Sequence, residues 1–144
     1  MRAIWITRPA GPEALEVRET ADPEPGPGQV RIRVRAAGLS FADVMSAQGL
    51  YPDAPKPPCV VGYEVAGVID ALGDGTRGYA AGERVLAMTH FGGHADVVCV
   101  PAERPVPASR PGRREAYTRK MVFFFTACLP PASDLGGELG TGRR

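Results

Sequence analysis

Three cysteines, two histidines and one tryptophan among 144 residues leave little of the material from which sites usually announce themselves. Cys59, Cys99 and Cys128 are odd in number, far apart and without a Cys-x-x-Cys pair, which argues against a disulfide framework and a zinc knuckle and reads as buried or half-buried thiols. Charge of one sign is also missing: the formal net charge is +1, so no bulk attraction draws the chain to nucleic acid or to an acidic membrane surface. Neither an N-terminal signal nor an apolar run long enough to span a bilayer is present, which predicts a soluble, cytoplasmic protein with no membrane partner.

Glycine and proline are plentiful instead, at 18 and 15, against a globular background of 44% hydrophobic and 23% charged residues. That balance favours strands and turns over helices, and the length fits one domain. Residues 30 to 36, VRIRVRA, alternate strictly, so Val30, Ile32 and Val34 face a core while Arg31, Arg33 and Arg35 form the solvated face of a sheet and need no partner. Further strands are predicted over residues 2 to 7, 15 to 19, 60 to 72, 84 to 89 and 95 to 100. Gly62 and Gly67 interrupt the longest of them, where they would let it bend around a corner, and Gly73, Gly75, Gly78 and Gly82 mark the turns that follow.

One helix breaks the pattern. Ser40-Phe41-Ala42-Asp43 has the form of a capping box with Asp in the place of Glu, Phe41, Val44, Met45 and Gln48 follow at near-helical spacing, and Gly49 closes the segment. Together these elements predict a mainly β fold: a small, partly open β-barrel with one short helix. The character changes near residue 103. Residues 1 to 102 carry nine Lys and Arg against twelve Asp and Glu, whereas 103 to 144 carry eight against four. The division predicted is a domain over 1–105 and a divergent, poorly ordered tail over 106–144, relieved only by the apolar patch from Met121 to Leu129.

Four blocks, RAAGLSFADVMSAQGLYPDAP, VVGYEVAGVIDALGDGT, AGERVLAM and GGHADVVCVPA, stand in an order and spacing that resembles the N-terminal GroES-like domain of the medium-chain dehydrogenase/reductase superfamily. The resemblance covers about residues 1 to 105. It is greatest to the zinc-independent quinone oxidoreductase branch, including the vesicle amine transport protein-like members. In the zinc alcohol dehydrogenases a cysteine follows the A-x-G-x opening of the helix block and a histidine precedes the glutamate of the next. Ser40 and Tyr63 occupy those places, the four-cysteine lobe is absent, and Glu64 alone cannot hold catalytic zinc, so no metal is expected. His90 and His94 have the spacing of a helical zinc pair, but Gly92-Gly93 lies between them, and the family's G-G-x-A block accounts for the segment without metal.

The resemblance implies reduction of quinones or activated alkenes and carbonyls by NADPH, with the protein orienting donor and acceptor. Carried onto matching positions, it implies that Ser40 and Tyr51 contact the nicotinamide of the cofactor and that Asp43 and Tyr63 line the substrate pocket, with no residue assigned a catalytic step. Each has a plainer reading beside it: Ser40 and Asp43 cap the helix, and the tyrosines cover the barrel mouth. Past residue 107 the expected Rossmann unit does not follow, and Gly136 to Gly140 is no dinucleotide fingerprint, being neither preceded by a strand nor followed by a helix. Two readings therefore stand. In one the chain is a catalytic-domain fragment of such an oxidoreductase, inactive alone and exposing apolar surface through which copies self-associate; in the other it is a non-catalytic binding module built on a GroES-like barrel.

Overall fold

The computed structural model describes residues 1–108; the first residues of the predicted tail fall inside it and pair with Val85 and Leu86, while the rest of the tail, including the 121–129 patch, lies outside the described residues. Eight strands, one helix and a 3-10 turn at Pro12–Ala14 make two antiparallel sheets. The smaller has the order β2-β1-β4, with β1 at Arg2–Ile6, β2 at Leu15–Glu19 and β4 at Cys59–Val60. The larger runs β7-β3-β5-β6-β8, with β3 at Gln29–Ala37, β5 at Glu64–Leu72, β6 at Arg84–Met88, β7 at Val97–Pro101 and β8 at Val106–Pro107. The sheets do not close on each other. An isolated bridge between Ala3 and Ala95 ties β1 to the segment leading into β7. Among the described residues no helix is long and apolar enough to cross a membrane.

The alternation in β3 places Val30 and Ile32 in the main core, where they meet Val65 and Ile69 of β5, Val85 and Ala87 of β6, and Val98 and Val100 of β7. A second, smaller cluster joins Ile6, Cys59 and Val61 under the helix, with Ala47 and Phe91 packed against it. The single strand expected over 60 to 72 is in fact two strands in different sheets. Val60 pairs with Trp5 of β1, whereas Val65 pairs with Ala37 of β3. Gly62, at φ 109°, makes the turn between them in a backbone region that side chains disfavour, so the chain changes sheets there instead of bending within one.

Arg31 and Arg33 also depart from expectation. The β3–β5 ladder slips between Arg31 and Ile32, where Arg31 is opposite Ala71 and Ile32 opposite Ile69, leaving Asp70 as the extra residue of a bulge. Asp70 accepts from Arg31 Nε on one oxygen and from an Arg33 guanidinium nitrogen on the other, each at 2.9 Å, and Asp22 and Glu24 complete the pairing. Two of the three arginines are thus neutralised by partners on their own sheet and its border. Hydrogen bonds from Arg31 hold its side chain at only 16% exposure.

Candidate active site

The helix α1, Phe41–Ala47, begins at Ser40, whose extended backbone marks the cap. Ser40 donates twice to one oxygen: its N–H reaches Asp43 Oδ2 at 2.7 Å and its hydroxyl reaches the same atom at 2.8 Å. Asp43 is thereby folded back beneath the helix start, where it is only 3% exposed. Ser46, one turn on, is buried beside it and gives its hydroxyl proton to the Ala42 carbonyl at 2.7 Å. The helix is therefore inverted: its polar side faces the protein, while Phe41 and Val44 face outward at 74% and 44% exposure.

Two more residues, His94 and Glu64, converge on Gly38. Its carbonyl lies 3.1 Å from His94 Nε2, and since a carbonyl only accepts, that nitrogen carries a hydrogen. The same nitrogen stands 3.9 Å from Asp43 Oδ1, which is buried and makes no hydrogen bond. The Gly38 N–H donates to the Glu64 carbonyl at 3.1 Å, and the Glu64 carboxyl lies so close over Gly38 that a Cβ there would come within 2.0 Å of Oε1. Glu64 also lies within reach of the Asp43 charge. Burial, and then the negative charge of Asp43, push its pKa up from the ordinary 4.5.

A raised acid has a definite effect on stability. The fold favours protonated Glu64, so its stabilising contribution is full below the ordinary value and is lost as pH rises through the folded one. Glu64→Gln, neutral throughout, should therefore gain stability relative to the parent as pH rises from the ordinary carboxyl value through the raised one. Urea unfolding of both proteins across that range checks it, and parallel pH profiles would refute the assignment.

The other side of the site is aromatic. The Tyr63 ring meets the rings of Tyr51, Phe91 and His90 edge-on, at centroid distances of 5.7, 5.3 and 6.4 Å. Among the described residues its buried hydroxyl meets no well-aligned hydrogen-bond partner; burial raises its pKa, the nearby Ser46 hydroxyl opposes the rise, and Tyr51 and Asp43 add to it. The four residues singled out in the sequence meet in two pairs, Ser40 with Asp43 directly and Tyr51 with Tyr63 across the ring contact, and the Asp43 charge reaches the Tyr63 hydroxyl. What sequence reasoning missed is His94. Its i, i+4 spacing to His90 drew attention to metal, yet His90 sits in a turn at φ 69° against Tyr63 and Phe91, while His94 turns inward to Gly38. Among the described residues no three His, Cys, Asp or Glu side chains are grouped to share a metal ion.

Comparison with known proteins gives the family. Residues 26–110 match the family model of the alcohol dehydrogenase GroES-like domain. The synaptic vesicle membrane protein VAT-1 homolog-like of Mus musculus is 43% identical over 103 residues, which are 72% of this chain and 25% of that protein, so the chain spans about a quarter of this relative's length. The crystal structure of the human VAT-1 homolog-like protein superposes with a TM-score of 0.72 at 41% identity, covering 74% of this chain and 35% of that one. Quinone oxidoreductase of Escherichia coli, solved in complex with NADPH, gives 0.70 at 28% identity over 74% of this chain and 33% of the other. With more than half of its residues matched by the family model and the same fold in these proteins, the chain belongs to the alcohol dehydrogenase GroES-like domain family of the medium-chain dehydrogenases/reductases.

Proposed function

We propose that this domain serves as the catalytic-domain portion of a cytoplasmic, zinc-independent, NADPH-dependent oxidoreductase acting on quinones or activated alkenes and carbonyls, and that alone it is inactive. The observation that carries the reading is the Ser40–Asp43 pair at the start of α1 together with the Tyr51–Tyr63 pair, whose Tyr63 hydroxyl feels the Asp43 charge. Ser40 and Tyr51 are half-buried, so both present part of their surface to a bound ring. Bound NADPH would supply the hydride. Ser40 and Tyr51 would hold the nicotinamide end, Tyr63 and Phe91 would exclude water beside the acceptor, and Asp43 would act from beneath by fixing Ser40. Ser40 and Tyr63, where the zinc relatives have cysteine and histidine, support chemistry without a metal.

Most of a dinucleotide's affinity comes from its pyrophosphate and riboses. The only α-helix among the described residues has its cap N–H, that of Ser40, committed to its own buried carboxylate, Asp43, and at seven residues it is too short to make a phosphate seat. NADPH should therefore bind this chain no more tightly than about millimolar, or about −4 kcal/mol. Titration calorimetry or nicotinamide fluorescence measures this directly, and micromolar affinity would overturn the prediction. The second reading, a non-catalytic binding module, draws on the exposed Leu39, Phe41 and Leu50, at 75%, 74% and 62%, as a face for a second copy of the chain.

A further inference from the structure

The outer edge of β2 is open. Among the described residues its only strand neighbour is β1, and all five of its residues are exposed. The phase of the β1–β2 ladder decides what that edge offers. Ile4 gives its N–H to His94 O at 2.9 Å, while Arg2 gives its N–H to Asp96 Oδ2 and accepts from the Asp96 N–H, all on the side away from β2. Val17 and Glu19, opposite Ile4 and Arg2, therefore stand at the wide pairs of an antiparallel ladder, and their own N–H and C=O groups point outward, unbonded among the described residues. Leu15 has the same phase, but its N–H is held by the Pro12 carbonyl, which leaves only its own carbonyl free. Edges of this kind are ordinarily blunted by proline, lysine or a bulge, and residues 15 to 19 have none of them.

The side chains make the edge complementary to itself. Leu-Glu-Val-Arg-Glu sets opposite charges symmetrically about Val17, so a second β2 running antiparallel and centred on the same residue brings Glu16 opposite Arg18 of the second copy, and Arg18 opposite its Glu16. These would be the pairs without backbone bonds between them, where facing side chains come closest. Arg18 already holds Glu16 of its own chain at 2.9 Å, so the charges would join in one network of alternating sign. On the other face Val17, 69% exposed, would meet its counterpart beside Ile4 and cover apolar surface on both copies.

We propose that β2 is the pairing edge for a second copy of this chain, the two strands joining antiparallel about Val17 into one continuous sheet. Val17 exchanges N–H and C=O with its counterpart, and each Glu19 N–H donates to the Leu15 carbonyl of the other copy. The edge uses none of Leu39, Phe41 and Leu50 and does not depend on the proposed activity.

Sedimentation of the full chain over a range of concentrations should show a monomer–dimer equilibrium. Val17→Pro deletes an N–H that no group of its own chain uses, at an edge position where proline is tolerated, and should weaken association about tenfold or more, since the symmetry counts each lost bond twice. Arg18→Glu sets like charges opposite each other and should weaken it by a similar factor. Adding Glu16→Arg to that variant restores opposite signs across the two-fold, and association should return to within about threefold of the parent, a recovery that a general change of surface charge would not give. Leu50→Ser should leave the equilibrium unchanged. Hydrogen exchange supplies the register: the Val17 and Glu19 amides should slow as concentration rises, while those of Glu16 and Arg18, already bonded to β1, should not. A parent chain still monomeric at about 0.1 mM, or a dimer that Val17→Pro leaves intact, would overturn the proposal, and the second result would point to the Leu39, Phe41 and Leu50 face instead. If Val17→Pro does not fold, the charge reversal and its recovery decide, and a reversal without recovery counts against the two-fold register.

Discussion

Gly62→Ala should destabilise the domain by at least about 3 kcal/mol, from backbone strain and overpacking together. At φ 109° the backbone lies where a Cβ is disfavoured, and the added carbon would come within 2.4 Å of His94 N and 2.8 Å of His94 Cδ2. Neither atom can yield cheaply. The His94 N–H is held by the Val61 carbonyl at 2.9 Å, and the Gly62 carbonyl accepts from the Gly93 N–H at 3.0 Å and from the Thr89 hydroxyl at 2.5 Å. Gly75→Ala separates the two causes, since Gly75 has φ 73° but open space around its missing side chain. It should cost only about 1 kcal/mol, the conformational part alone. Urea midpoints of the two variants measure the contrast. A Gly62→Ala protein no weaker than Gly75→Ala would mean that the crossing of residues 62 and 93 is looser than its geometry indicates.

Ile69→Ala should cost about 3 to 4 kcal/mol, a sizeable share of the 5 to 15 kcal/mol typical of a domain. Ile69 is fully buried opposite Ile32 and packs into the cluster with Val30, Val65, Val85 and Val100. Both of its backbone polar groups are held as well, donating to Glu83 O at 2.9 Å and accepting from Gly82 N–H at 2.8 Å, so the strand cannot easily sink into the cavity. Ile69→Val should lose about 1 kcal/mol. A loss below about 1 kcal/mol for the alanine variant would show that the sheets can close over the void.

Local rules made some of the fold readable. The alternation of β3 is legible because one face is buried and the other is not, and the start of α1 is legible because Ser40 and Asp43 are three residues apart and close their contact without help from the rest of the chain. The change of sheets at Gly62 was not, because strand-forming residues continue on both sides of it and only the distant partners, β1 for one half and β3 for the other, decide where each half goes. The Arg31, Arg33 and Asp70 arrangement depends on a one-residue slip in the ladder, which periodicity cannot register. The site was half visible for the same reason. Ser40, Asp43, Tyr51 and Tyr63 could be placed by motif, whereas the contact of His94 with Gly38 joins residues 56 apart and needs the folded loop between β6 and β7.

The inverted helix has an evolutionary consequence. Asp43 and Ser46, which shape the site, are sealed on the inner side of α1, while Phe41 and Val44 occupy the outer side of the same two turns. Substitutions outside can change which surface the domain meets without disturbing the hydrogen bonds inside, and changes inside need not alter what is displayed. Selection can therefore act on partnership and on chemistry separately within seven residues, a short piece of chain for two independently variable traits.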